Sequence, residues 1–495
     1  MSADRDEAPR EPFWQRRDLQ ITLVLFFLAL LPRLYVALAW PREPVWDGHY
    51  YDFGARRIAE GHGYSDDSVV GGVTVWHPWC HYPVGYSGFL AFFYWIFGAG
   101  PHVGTVANAF VGALTAVVVY RLARYVTTET RARIAGVLTA ANPGLIAYTA
   151  LLMTEPLAAF GILLAAWLYV RDRDRPLRAG AVAGFILGLA TLVRPPSILL
   201  APALFFFTER GREIGIRGVL KRLSGPAAAT ALSLLTVLPW TARNCRVMDG
   251  CAFVSTNAGW NLMIGAFPRA TGRFETVRAT DGCPVVTGQV QQDRCWADAG
   301  IAHIRSEPGR WLGLAPKKLG YTFDHESFPT GYLGEANPQV WTEERKALGR
   351  EILGGAHRLL LLFAALAAVG LPSISARGDA RKRLFQWLPL LAVVGLGLYG
   401  FLSDYHPFWP LAAAVIVVPC LPLPGAPPRW GGIAHLVALV ASVAAVAIVF
   451  FGEDRYHMVA TPALCLLCSC ALRKPSQPLG IQPGNAVAQR TSIPQ

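Results

Sequence analysis

The first residue of this chain placed to do chemistry is Asp47, in Trp46-Asp47-Gly48-His49-Tyr50-Tyr51-Asp52, a few positions past a long apolar run. Beside a membrane surface and among aromatic side chains, a carboxylate can take a proton from an acceptor hydroxyl held near it. The plainer reading is a helix cap or a solvated loop charge; Asp52 is the reserve carboxylate. Glu155, in Met153-Thr154-Glu155-Pro156, opens another apolar run. An acid at membrane depth is usually functional or paired, although Thr154 as cap and Pro156 in the first turn would also explain it. Arg194 in Val193-Arg194-Pro195-Pro196 and Arg455 in Glu453-Asp454-Arg455-Tyr456-His457 are cations at apolar-run ends that otherwise carry few. Each needs an anion: a side chain, a lipid headgroup or a substrate phosphate. Arg194 with Glu155, and Arg455 with Glu453 or Asp454, are the simple ion pairs. Asp404 and His457 fall at the same membrane face.

What must position these groups is a set of membrane helices. Of 495 residues, 53% are hydrophobic and 16% charged, against roughly 25% charged in soluble domains. The net charge of +12 sits in short basic loops between apolar runs, which marks cytoplasmic loops and argues against a nucleic-acid footprint. Residues 19–40 are too long for a signal-peptide core and lack a small-residue cleavage site, so they read as an uncleaved first span. About twelve runs approach the ~30 Å of a bilayer core. With the N-terminus inside, the clusters Arg121–Arg133, Arg171–Arg178, Arg210–Arg222, Arg377–Arg383, Arg429 and Arg473–Lys474 all fall on the cytoplasmic side. A crossing by Val84–Phe97 would invert that pattern, so this short aromatic segment reads as interfacial or re-entrant. The expected fold is an all-α polytopic membrane protein. Its parts are a cytoplasmic N-terminus (1–18), an N-terminal membrane module (19–241) with a first outer loop (41–83), an outer loop (242–355), a second membrane module (356–472) and a disordered cytoplasmic tail (473–495).

Within 242–355, Pro308 opens a stripe of Trp311, Ala315, Leu319 and Phe323. That spacing suits a helix lying on the membrane or packing inside the loop. Cys245, Cys251, Cys283 and Cys295 share this loop, and an even set in an oxidising compartment suggests disulfides. Pairing close in sequence, Cys245 with Cys251 and Cys283 with Cys295, is expected. No spacing of His beside Cys marks a metal site. A transporter or flippase of lipid-linked saccharides is the alternative class. It would favour charges deep in the spans and internal repeats, and the sequence shows neither.

Further motifs carry a resemblance. They are Asp47-Gly48-His49-Tyr50 with Ala59-Glu60-Gly61-His62-Gly63-Tyr64, Tyr82-Pro83-Val84-Gly85-Tyr86, Thr154-Glu155-Pro156, Arg194-Pro195, Ser255-Thr256-Asn257-Ala258-Gly259-Trp260-Asn261, Ala270-Thr271-Gly272 and Arg455-Tyr456. In this order, from about Leu19 to Leu472, the chain resembles the family-39-like membrane glycosyltransferases of the GT-C fold, which include protein O-mannosyltransferases and 4-amino-arabinose lipid A transferases. It departs where the usual acidic pair reads Asp47-Gly48 and where Pro-Pro-Gly-Tyr reads Pro83-Val84-Gly85-Tyr86. The resemblance implies a bundle of about 12 transmembrane helices with outer-face juxtamembrane helices, and an enzyme of a bacterial cytoplasmic membrane. It implies that Asp47 is the catalytic carboxylate and that outer arginines bind a lipid phosphate. Tyr50, Asp52, Tyr82, Glu155, Arg194, Asn261, Arg455, Tyr456 and His457 become the expected substrate-binding residues. The partners are then a polyprenyl-phosphate-linked sugar, a lipid, glycan or protein acceptor, and membrane lipids. No cofactor is required; a divalent metal is compatible, since metal use varies across the superfamily.

Overall fold

The computed structural model describes residues 17–40, 43–208, 216–284, 288–370, 380–421 and 432–471. Residues Asp4–Arg16, the basic clusters at Arg429 and Arg473–Lys474, and the tail from Pro475 lie outside them. The chain is a predominantly helical, multi-pass membrane protein. Helix α1 (Arg17–Ala39) leads to α2 (Asp47–Ala59), a hairpin of β1 (Ser65–Val70) and β2 (Val73–Pro78), and α3 (Val84–Phe97). Then come α4 (Pro101–Val126), α5 (Glu129–Ala141), α6 (Pro143–Ala147), α7 (Glu155–Arg171), α8 (Pro176–Val193), α9 (Leu200–Ala203) and the long α10 (Ile216–Val247). A run of shorter helices follows: α11 (Ala258–Ile264), α12 (Gln289–Ser306), α13 (Pro308–Gly313), α14 (Ala315–Phe323) and α15 (Phe328–Ala336). The last module holds α16 (Glu343–Val369), α17 (Ala380–Leu402), α18 (Trp409–Val417), α19 (Gly432–Val449) and α20 (Thr461–Ser469), with a 3-10 turn over Asp454–Val459 between the final two.

Among the described residues, five helices are long and apolar enough to cross a membrane by themselves: α1, α4, α8, α10 and α16. The rest of the expected crossings are shorter apolar pieces. Helix α3, at 14 residues, reaches ~21 Å, which fits a segment that does not cross. Helices α10 and α16 extend beyond the apolar core, to Val247 and from Glu343, so the part between them is shorter than residues 242–355.

Small residues set how closely the spans pack. Gly180, Gly184 and Gly188 stand four apart on α8 and face Gly225, Ala229 and Ser233 of α10. At Gly184 a side chain would collide with the Ala229 backbone, and the close approach lets Ser233 Oγ donate to Gly184 O at 3.0 Å.

One element is additional to the expected helices, and two expectations need correction. The segment 41–83 carries a hairpin: β1 and β2 pair antiparallel, with Val70 opposite Val73. The turn is Gly71-Gly72, both at positive φ, the conformation a two-residue hairpin requires and glycine supplies. Next, the Trp311–Phe323 stripe is not one helix. Pro316 lacks an N–H and its ring meets the carbonyl a turn back, so α13 and α14 are separate. Finally, the spans do hold a deep charge. Arg33 of α1 is fully buried, and its guanidinium donates to the carbonyls of Ala29 (2.9 Å), Ala140 (2.7 Å) and Thr139 (3.0 Å). The last two are carbonyls at the C-terminal end of α5, where the helix leaves them unpaired. A charge bonded in this way ties α1 to the end of α5.

Candidate functional site

Asp47 is the first residue of α2, where the helix dipole favours an anion. Trp46 before it holds φ +50, a left-handed conformation costing a bulky residue ~1–3 kcal/mol. Its indole is braced against Phe328 and Tyr332. The carboxylate is engaged on both oxygens: Tyr82 Oη donates to Oδ1 at 2.8 Å, and Arg455 Nη1 donates to Oδ2. Burial opposes its charge, yet the Arg455 guanidinium and the Tyr82 hydroxyl hold it below the ordinary aspartate value.

The second arginine arrives by a proline. Pro195 disfavours a helical residue before it, so α8 stops at Val193 and Arg194 turns extended, with φ −146. Arg194 Nη1 then reaches Glu155 Oε1, 2.7 Å away at the start of α7, and Thr154 Oγ1 at 3.3 Å. Glu155 is 1% exposed and Arg194 18%. The guanidiniums of Arg194 and Arg455 lie 5.0 and 5.4 Å from the ring of Tyr456. Two arginines 261 positions apart in sequence thus flank one phenol.

Glu453 completes the cluster. Its Oε2 lies 2.5 Å from Arg455 Nε, without hydrogen-bond geometry. Burial pushes its carboxyl up to about 7 despite the neighbouring guanidinium. Asp454, the other expected partner of Arg455, faces away: Ser327 N (2.5 Å), Ser327 Oγ (2.7 Å) and Phe328 N (2.9 Å) donate to it at the start of α15.

These groups open on a cavity of about 320 Å³. Asp47, Tyr82, Glu155, Arg194, Asn261, Arg455 and Tyr456 line it, as do Asn257 and Trp260 from the insertion. A rim of Phe253, Phe274, Phe450 and Phe451 gives it an apolar side. The wall from the insertion is stitched to the last module where Gly452 N donates to Gly272 O at 2.8 Å.

Three expected residues do not line the cavity. Tyr50 is at the lip, half exposed and stacked on Tyr82 at 5.3 Å. Asp52 is on the opposite face of α2, accepting from Arg56 Nε (2.7 Å) and Tyr94 Oη (2.6 Å). His457 is one residue past Tyr456, and the turn sends it into the protein instead. Asp404, in the turn after α17, is also absent from the wall. His81, not among the expected residues, also lines the cavity; burial keeps its imidazole below its ordinary value although the charge of Asp47 opposes this. Its adjacency to Tyr82 was the available signal. Among the described residues, the one group of three potential metal donors lies behind the cavity: Glu326, His357 and His457. Separations of 31 and 100 positions hide it from any spacing rule.

Residues 81–242 are similar to the family of dolichyl-phosphate-mannose-protein mannosyltransferases. That is about a third of the chain; it takes in Tyr82, Glu155 and Arg194 but neither Asp47 nor Arg455. The match agrees with the resemblance the motifs carry. No curated protein matches the chain. Among solved structures, the oligosaccharyltransferase AglB of Archaeoglobus fulgidus, in complex with an inhibitory peptide and a dolichol-phosphate, is 15% identical with a TM-score of 0.42. The alignment covers 92% of this chain and 50% of that one, so the chain spans about half the length of AglB. ArnT of Cupriavidus metallidurans in the apo state is 16% identical, with a TM-score of 0.36 and coverage of 88% and 77%. The same ArnT bound to undecaprenyl phosphate is 15% identical, with a TM-score of 0.34 and coverage of 90% and 77%.

Proposed function

We propose that this chain is an integral membrane glycosyltransferase. It moves a sugar from a polyprenyl-phosphate donor to an acceptor hydroxyl on the outer face of a bacterial cytoplasmic membrane, with inversion. The observation that carries the reading is one cavity shared by Asp47 and two guanidiniums. The family match over residues 81–242 supports it, because its description names a lipid-phosphate-linked mannose.

In this reading the apolar rim takes the lipid next to its phosphate, and Arg194 and Arg455 face the phosphate oxygens. Asp47 removes the acceptor proton as the oxygen attacks the anomeric carbon from the side opposite the phosphate. The bond to the phosphate breaks, and the lipid phosphate leaves with added negative charge. Guanidiniums in a partly dry cleft stabilise that developing charge more than the ground state. The resting ion pair has a part in this. An aspartate tied to Arg455 is a weak base; once the donor phosphate draws Arg455 away, the carboxylate loses its counter-charge and its basicity rises.

The test is the purified chain in vesicles, given a panel of polyprenyl-phosphate sugars labelled in the sugar. Label moving to a lipid, glycan or protein hydroxyl, with release of polyprenyl phosphate, supports the reading. A chain that carries intact lipid-linked saccharide across the vesicle and cleaves none would be a flippase.

A further inference from the structure

Behind the cavity, on the far side of the turn that presents Arg455 and Tyr456, is a closed group of three side chains that the transfer reaction does not use. Glu326 lies between α14 and α15, His357 on α16 and His457 on the turn itself, each at most 2% exposed. One donor atom from each lies within 4.8 Å of the other two.

Their outer contacts fix the tautomers. His457 Nδ1 lies 2.7 Å from the carbonyl of Thr322, and His357 Nε2 lies 3.0 Å from that of Phe323. A carbonyl only accepts, so both nitrogens carry hydrogen. If the rings are neutral, the lone pairs are His457 Nε2 and His357 Nδ1. The first faces Glu326 Oε2 at 2.8 Å. A lone pair and a carboxylate oxygen at that distance repel unless a cation stands between them. A proton would join that pair alone. His357 Nδ1 and Glu326 Oε1 would still be buried without partners, as they are here. One divalent ion satisfies all three side chains. An imidazole donating its second nitrogen to a backbone carbonyl is also how protein metal sites orient their histidines.

We propose that Glu326, His357 and His457 bind a zinc-type divalent ion that pins the Asp454–Val459 turn. Two imidazoles and a carboxylate suit zinc, with a fourth position for water or a further oxygen. Tyr148, whose buried hydroxyl has no partner, is one turn beyond Gly144, and a side chain added at Gly144 would stand 3.1 Å from Glu326 Oε2. The two imidazole rings stack with centroids 3.8 Å apart and planes at 26°. For both lone pairs to meet one ion, His357 must rotate about Cβ–Cγ. The broad acceptor geometry of the Phe323 carbonyl allows that rotation. The ion's effect on the cavity is positional: His457 is two residues from Arg455, so holding one fixes the approach of the other. This inference goes beyond the transferase reading and does not rest on it.

The test uses the full chain in detergent, stripped with a chelator and then given Zn²⁺ or Co²⁺ alone. The expected result is one zinc retained per chain after desalting and visible ligand-field bands of low-symmetry cobalt. Hydrogen exchange should also slow across residues 454–459 on metal binding. His357→Gln should weaken zinc binding by more than the roughly 10–100-fold that loss of an outer partner costs; Glu326→Gln is the second variant should the first fail to fold. Wild-type chain that retains no zinc and shows no cobalt bands would overturn the site and leave a proton-bridged Glu326–His457 pair. Unchanged cobalt binding in a folded variant would overturn it equally.

Discussion

The two ends of the helix bundle handle arginine in opposite ways. At the end where α1 begins and α4 finishes, Asp18 and Glu129 share three guanidiniums. Arg121 and Arg124 pair with Asp18, the latter at 2.5 Å, and Arg124 and Arg133 reach Glu129 at 3.0 and 2.9 Å. These side chains are 23–40% exposed, and cations outnumber anions. At the cavity end Asp47, Glu155 and Glu453 surround two guanidiniums that are 14–18% exposed. Here carboxyl groups outnumber cations. A solvated excess of positive charge can set orientation in a membrane and is worth little to stability pair by pair. A half-dry arginine already held by carboxylates is different, because an incoming phosphate must displace an existing partner. On the proposed reading, the first end orients the protein and the second exchanges anions.

Substitutions can break this contrast, and the largest effect belongs at Asp47. Asp47→Asn should lower transfer by about 10²–10⁴-fold, the range for loss of a positioned base, with donor binding retained; full turnover would remove Asp47 from the chemistry. Next, Arg455→Lys and Arg194→Lys keep the charge but lose the planar fork. Each should lower turnover by roughly ten- to a hundredfold, the worth of a charge-assisted hydrogen bond, and lower it more than donor affinity. An effect confined to affinity would leave these residues a binding role only.

A smaller effect is expected with pH. Glu453 is neutral below about 7 and anionic above it, and as an anion it competes with the donor phosphate for Arg455. Donor affinity should therefore fall a few-fold as pH rises through that value, and Glu453→Gln should flatten the profile. Titration of lipid-linked sugar binding checks the sign; affinity that rises with pH would contradict it. Smallest of all is Arg124→Gln at the other end. It should change neither turnover nor thermal stability beyond the ~1 kcal/mol of an exposed pair, and a loss of activity there would erase the distinction between the ends.

Much of this was legible in the residues, for reasons that differ along the chain. Apolar runs and basic loops announced the bundle because lipid imposes length and sidedness on sequence. Arg194 and Arg455 stood out because a cation at the end of an apolar run needs a partner; Glu155 and Glu453 were among the partners expected, whereas the bond from Arg455 to Asp47 was not. Local pairing of cysteines was visible too: Cys245–Cys251 and Cys283–Cys295 are the two disulfides. What was hidden depends on which way a side chain leaves a turn. Tyr456 and His457 are neighbours, yet one lines the cavity and the other joins Glu326 and His357, and Asp52 went to Tyr94 because it sits on the far face of α2. The hairpin was obscured by its own glycines, which read equally well as loop.

Arg33 has a consequence for how the protein is made. Helix α1 is synthesised first, whereas the carbonyl of Ala140 that its guanidinium needs lies 107 residues later. An arginine at the centre of a helix entering lipid costs ~2.5–3.5 kcal/mol on insertion scales, an upper figure for Arg33, which stands past the middle of α1 (Arg17–Ala39). Until α5 is made, this charge has only the Ala29 carbonyl of its own helix. The strongly apolar remainder of α1 must therefore carry it into the bilayer ahead of its partners, or the helix must wait at the translocon for them. Either way the N-terminal module has an assembly order written into it, and a truncation ending before Thr139 should leave α1 the least securely inserted of its spans.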